Sequence, residues 1–203
     1  MDISIIGAGP VGRFLAWQHA KRKRDVTLVE EHETIGAPVQ CTGILTDDIL
    51  KAVPKKLVNE HTQHTVTETV VYGPHSSVRI PISPNHIIDN ISYCQALAGK
   101  AQDAGAEVRL HTRYMGNDRE KITLKDTQLQ KERSVHSDIL VGADGPTSHV
   151  AKNNGLYDKR KFLTGVQAVV KMKKDVYKEA IEFYPHIGEY AWYCPEGDGR
   201  ARI

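Results

Sequence analysis

The chain has 203 residues, 40% of them apolar and 26% charged, with a net charge of +2. That composition can bury a core and suits one domain or one and a fraction, and the small charge argues against a nucleic-acid partner. Three scattered cysteines (Cys41, Cys94, Cys194) exclude a disulfide framework and a zinc site.

No apolar run approaches the length of a membrane span. The apolar N-terminus meets glycines too early for a signal peptide, so a cytoplasmic protein is expected. Ile3, Ile5 and Ile6 predict a first strand, followed by Gly7-Ala8-Gly9-Pro10-Val11-Gly12 and a helix that ends in the basic run Lys21–Arg24. Val26 to Val29 predict a second strand, which ends on Glu30. Strand, glycine turn, helix, strand and acid, in that order, make a dinucleotide-binding unit. In such a unit Gly7 permits the tight turn, Gly9 admits a pyrophosphate, and Gly12 lets the helix approach the strand. The free N–H groups of the helix start hold the anion. Glu30 is placed to accept hydrogen bonds from ribose hydroxyls, and it would repel a 2′-phosphate, which disfavours NADP here.

The stretch from Glu31 to Gly43 reads as a loop rich in glycine and proline. Thr46 is expected to cap a helix starting at Asp47. Alternation at Thr67–Val71 and Val78–Ile82 around Tyr72-Gly73-Pro74-His75-Ser76 predicts a β-hairpin. Ile87 to Gly105 reads as an amphipathic helix with a glycine stop, and Glu107–Leu110 as a strand. A small antiparallel meander is expected between Arg113 and His136. Ile139–Val141 then predict a strand running into Gly142-Ala143-Asp144-Gly145 and a further helix. Asp144 alone would be a turn signal. At a strand's carboxyl end, together with the N-terminal unit, it gives the order of flavin-binding proteins. Beyond Leu156 three strands are expected, over Leu163–Val170, Ile181–Phe183 and Tyr190–Cys194. The chain then ends as if in mid-sheet.

With these motifs in view, the chain resembles the N-terminal part of the geranylgeranyl reductase family of FAD-dependent oxidoreductases. The resemblance rests on Gly7–Gly12 with Glu30, on Gly142–Ser148, and on Pro38-Val39-Gln40-Cys41 with Tyr190-Ala191-Trp192-Tyr193-Cys194-Pro195. It implies an α/β fold: a Rossmann-like FAD-binding domain of the p-hydroxybenzoate hydroxylase type, with a truncated antiparallel-sheet substrate domain. The implied division is 1–160 for the FAD-binding domain and 161–203 for the incomplete start of the substrate domain. A hairpin insertion at about 66–84 would belong to the latter. The implied cofactor contacts are Gly7, Gly9, Pro10, Gly12, Glu30, Glu31, Gln40, Asp144 and Gly145. Cys41 is the implied catalytic residue, shaping the pocket or delivering a proton, against the alternative of a small buried cysteine. Tyr190 and Trp192 would grip an apolar chain from one strand face, against the alternative of two ordinary core aromatics.

The implied reaction is hydride transfer from reduced FAD to a prenyl double bond of an isoprenoid lipid precursor. Reduced ferredoxin or NAD(P)H would be the electron donor, with peripheral membrane contact through the apolar substrate and no metal. The chain departs from the family at Ile187, Cys194, Asn90, Tyr93 and Cys94, and a second Gly-Asp motif is not found after Gly145. Two further readings stand beside this one: a flavin monooxygenase of the same fold, and a non-catalytic nucleotide-binding module.

Overall fold

The computed structural model describes residues 1–176 and 178–203, which form two compact units. The first comprises 1–39 and 94–161, the second 40–93 and 162–203. Among the described residues no helix is long and apolar enough to cross a membrane.

In the first unit β1 (Asp2–Ile6) is apolar almost throughout because it lies inside a parallel sheet. The order is β10 (Ile139–Gly142), β1, β2 (Asp25–Val29), β6 (Glu107–Arg109). Ile3, Ile5 and Leu28 are buried, each contributing about 2 kcal/mol of transfer free energy. The buried polar residue of the strand, Ser4, gives its amide to Ser137 Oγ at 3.0 Å. Helix α1 (Pro10–Ala20) connects β1 to β2 and buries Gly12, Arg13, Ala16, Trp17 and Ala20. A meander, β7 (Thr112–Asp118), β8 (Lys121–Asp126) and β9 (Glu132–His136), stands as a separate antiparallel sheet. Its Tyr114, Ile122 and Leu124 pack with Ile6, Val29 and Val150, so a core lies directly beneath the ends of β1 and β2. Helix α4 (His149–Asn153) supplies Val150.

The second unit is built on a mixed seven-stranded sheet. Its order is β11 (Val169–Lys171), β14 (Arg200–Arg202), β13 (Ala191–Gly197), β12 (Ile181–Tyr184), β4 (Thr62–Tyr72), β5 (Ser77–Ile88), β3 (Ile44–Thr46). Val66, Ile87, Ile181 and Cys194 form its core, with Ile44, Phe183 and Trp192 packed against it.

Several local expectations are corrected. The segment after Thr46 is a short 3-10 turn, Asp47–Lys51, and the Thr46 side chain makes no cap bond. Helix α2 (Lys55–His61), begun after Pro54, has no counterpart in the sequence reading. The expected helix from Ile87 is α3 (Asn90–Asp103). Ile87 and Ile88 are buried strand residues, and Asp89 marks the change by accepting the Ser92 amide on its Oδ1 at 3.1 Å. The hairpin strands are longer than the 66–84 stretch of alternation: β4 begins at Thr62, and β5 continues into the buried Ile87 and Ile88. Leu163 and Val166 form no strand. They are 72% and 83% exposed, and an alternating pattern with no face to bury is not held extended.

Candidate functional site

The carboxyl ends of β1, β2 and β10 converge on one edge, the position where open α/β sheets bind ligands. Gly7 leaves β1 with φ +96°, and its N–H donates to Val29 O at 2.8 Å. Ala143 N–H donates to Ile6 O at 2.8 Å, which brings the Ala143-Asp144 turn against the glycine loop. A Cβ on Gly7 would stand 2.4 Å from Ala143 O, and one on Gly12 would stand 1.9 Å from Gly7 O. Both glycines are therefore required by the protein's own packing. Gly9 is different. A Cβ there would meet only Ala143 O, at an ordinary 3.7 Å, and its φ of −64° suits any residue. The space above Gly9 is left open at a helix start with Pro10 in its first turn, no acidic residue there and no side-chain cap. The first-turn amides of Val11 and Gly12 have no intrahelical acceptor.

Glu30 is half-buried and already tied to this loop. Its Oε2 accepts the Ala8 N–H at 2.8 Å, and its Oε1 accepts the His32 N–H at 3.1 Å and lies 2.6 Å from His32 Nδ1. A carboxylate has acceptor capacity for more than this. Glu31 is exposed and pairs with Arg113 at 2.7 Å. Asp144 holds the start of α4: its Oδ1 accepts from Ser148 Oγ, and its Oδ2 accepts from the His149 and Val150 amides at 2.7 and 3.1 Å. Gly145, with φ +78°, completes the turn, and a side chain there would meet nothing within 4 Å.

One residue of this edge was missed in the sequence. Arg13 is 4% exposed, donates from Nη1 to Ala8 O at 3.2 Å, and has a buried Nε with no acceptor among the described residues. No ion pair neutralises it among those residues. A buried guanidinium at the positive end of a helix dipole is unfavourable unless an anion joins it. The available signal was an arginine on the helix face otherwise occupied by Gly12, Ala16 and Ala20.

Gln40, Cys41, Tyr190 and Trp192 belong to the second unit. Gln40 is exposed, and so is Cys41, whose Sγ accepts the Gly43 amide at 3.4 Å. The Cys41 carbonyl accepts from Asn90 Nδ2 at 3.1 Å and from Arg202 Nη1 at 2.7 Å. Cys94 and Cys194 are buried; burial and the nearby Glu196 push the Cys194 thiol up to about 12. Tyr190 immediately precedes β13 and is 57% exposed. Its ring centroid lies 5.8 Å from that of Trp192, which is half-buried and carries an indole N–H with no acceptor among the described residues. Among the described residues no cluster of His, Cys, Asp and Glu could hold a metal ion.

A glycine turn, an acid on the neighbouring strand and an open helix start, all at the carboxyl edge of a parallel sheet, define a dinucleotide-binding α/β protein. The profile of the family described as FAD binding domain matches residues 1–200, and the chain belongs to that family. It is 30% identical to a digeranylgeranylglycerophospholipid reductase of Methanosarcina acetivorans over 100% of this chain and 53% of the relative. Among the solved structures that cover all of it, two are informative. One is a geranylgeranyl bacteriochlorophyll reductase-like protein of Thermoplasma acidophilum, at TM-score 0.80, 21% identity and 55% of that chain. The other is a probable FAD-dependent monooxygenase of Pseudomonas aeruginosa, at TM-score 0.78, 20% identity and 59% of that chain. The chain thus spans about half the length of these relatives. FAD is its cofactor, and the residues fit that group: the unfilled space over Gly9 suits a pyrophosphate, and the unpaired Arg13 suits an anion.

Proposed function

We propose that the chain carries the cofactor-binding part of an FAD-dependent prenyl reductase that saturates C=C bonds of isoprenoid lipid precursors. The observation that carries this reading is the alignment of the entire chain with a digeranylgeranylglycerophospholipid reductase, on a fold whose open helix start suits FAD. When bound and reduced, the cofactor supplies a hydride. The amides of Val11 and Gly12 would receive the pyrophosphate, and Arg13 would add a counter-charge. Glu30 takes ribose hydroxyls with its remaining acceptor capacity while it fixes the Ala8 amide. Pro10, Glu31, Gln40, Asp144 and Gly145 complete the cofactor contacts, Asp144 through the turn that it stabilises. Residues 1–160 form the FAD-binding domain; the hairpin within it and residues 161–203 serve the substrate.

Saturating a double bond requires a proton as well as a hydride. Cys41, an exposed thiol, is assigned to deliver it or to shape the space where it is delivered. Tyr190 and Trp192 hold the apolar chain. Reduced ferredoxin or NAD(P)H replenishes the electrons, and the lipid substrate brings the protein to a membrane surface.

The test is reconstitution with FAD, chemical reduction, and mass spectrometry of a geranylgeranyl phospholipid added to the reduced protein. The expected product gains a hydrogen pair per double bond. An oxygenated product would establish a monooxygenase instead. Failure to acquire a flavin spectrum would reduce the chain to a module without turnover. Cys41→Ser is expected to lower kcat at unchanged flavin content.

A further inference from the structure

The second unit contains a buried ion pair with a third contact. Glu196 and Arg202 are 5% and 8% exposed, on neighbouring antiparallel strands β13 and β14. Arg202 donates from Nε at 2.8 Å and from Nη2 at 2.5 Å, both to Glu196 Oε1. That leaves Nη1, which donates to the backbone carbonyl of Cys41 at 2.7 Å, across 161 positions of sequence. A buried pair of this kind adds little net stability compared with apolar residues, so stability alone does not account for it. The planar fork of arginine suits a positional use: the carboxylate fixes the guanidinium plane, and the plane fixes a third atom.

We propose that Arg202, oriented by Glu196, is a positioning residue that pins the Cys41 loop. Two other contacts define the pinned state. Asn90 Nδ2 also donates to the Cys41 carbonyl, and Gly43, with φ +81°, gives its carbonyl to the Ile88 amide at 2.9 Å. The loop is thus held at Cys41 by two side chains and at Gly43 by strand β5, while the Cys41 side chain stays exposed. The backbone that carries the thiol is then fixed from β14, the last strand in chain order. The catalytic consequence rests on the role proposed above for Cys41, whereas the clamp itself does not.

Amide hydrogen exchange on the purified chain, with no flavin or substrate added, tests the clamp. Arg202→Lys keeps a cation for Glu196 but lacks the fork that reaches the Cys41 carbonyl. Exchange at 40–43 should quicken about fivefold, the population change produced by losing one net hydrogen bond, with β4 and β5 unchanged. The double variant Arg202→Met with Glu196→Gln removes both charges, so neither is left buried alone, and it should show the same local acceleration. Unchanged exchange at 40–43 in both variants, or acceleration spread equally through β13 and β14, overturns the clamp. In the prenyl assay Arg202→Lys should lower kcat and leave KM within about twofold, and added guanidine should not restore kcat. If Cys41→Ser is fully active while the exchange result holds, the catalytic reading of Cys41 has failed and the clamp has not.

Discussion

At the scale of single residues, the three glycines of the first loop have separate physical reasons, and these can be told apart. Gly12→Ala forces a Cβ to 1.9 Å from Gly7 O, so helix and strand must part. Overpacking of this kind costs about 1–3 kcal/mol or more, which urea denaturation of the flavin-free chain will record. Gly9→Ala meets no such contact. Its stability should stay within about 0.5 kcal/mol of the parent, as for substitutions away from a packed feature, while FAD affinity measured by flavin fluorescence quenching falls at least tenfold. Equal losses of stability in the two variants would show that Gly9, too, serves packing alone.

At the scale of elements, the parallel pairing of β4 with β12 creates a buried acid held by two phenols. Tyr72 and Tyr184 stack at 4.9 Å, and their hydroxyls donate to the two oxygens of Glu182, at 3.0 and 2.6 Å. Glu182 is 4% exposed. Burial first, and then the bond to Glu182, raises both phenols above the ordinary tyrosine value. A raised folded-state value contributes stability below the unfolded value and loses it as pH climbs. The pairing should therefore be insensitive to pH through neutrality and weaken above about pH 10, where unfolded tyrosine ionises. Near-ultraviolet titration, with Tyr72→Phe and Tyr184→Phe as assignments, should find these two tyrosines ionising late. Glu182→Gln should bring these two back toward the ordinary tyrosine value. It should also cost about 1 kcal/mol, because glutamine offers one acceptor oxygen where the two phenols use two.

At the scale of the whole molecule, the fold separates the residues of the nucleotide edge from those assigned to substrate. The former lie in 1–39 and 94–161, the latter in 40–93 and 162–203. Binding of FAD to the folded chain should raise its stability by mass action, about 2.7 kcal/mol at a hundredfold excess over Kd. A denaturation series at increasing FAD measures this. Absence of any shift would mean that the folded chain has no site for the cofactor.

The sequence by itself determined the nucleotide edge, because its parts are local. Gly7, Gly9, Gly12, Glu30 and the Asp144 turn each follow a strand whose apolar run can be read directly, and the spacing alone sets them on one edge. It also carried the hairpin and the meander, since alternation has a period of two whatever the partner strand. Only the tertiary structure decided what depends on distant neighbours. Arg13 looks like any surface arginine until its helix face is seen to be buried. Glu196, Arg202 and Cys41 carry no shared motif, and their contact exists because β14 pairs beside β13. Leu163 and Val166 show the converse: an alternating pattern specifies a strand only when some other part of the molecule takes its apolar face out of water.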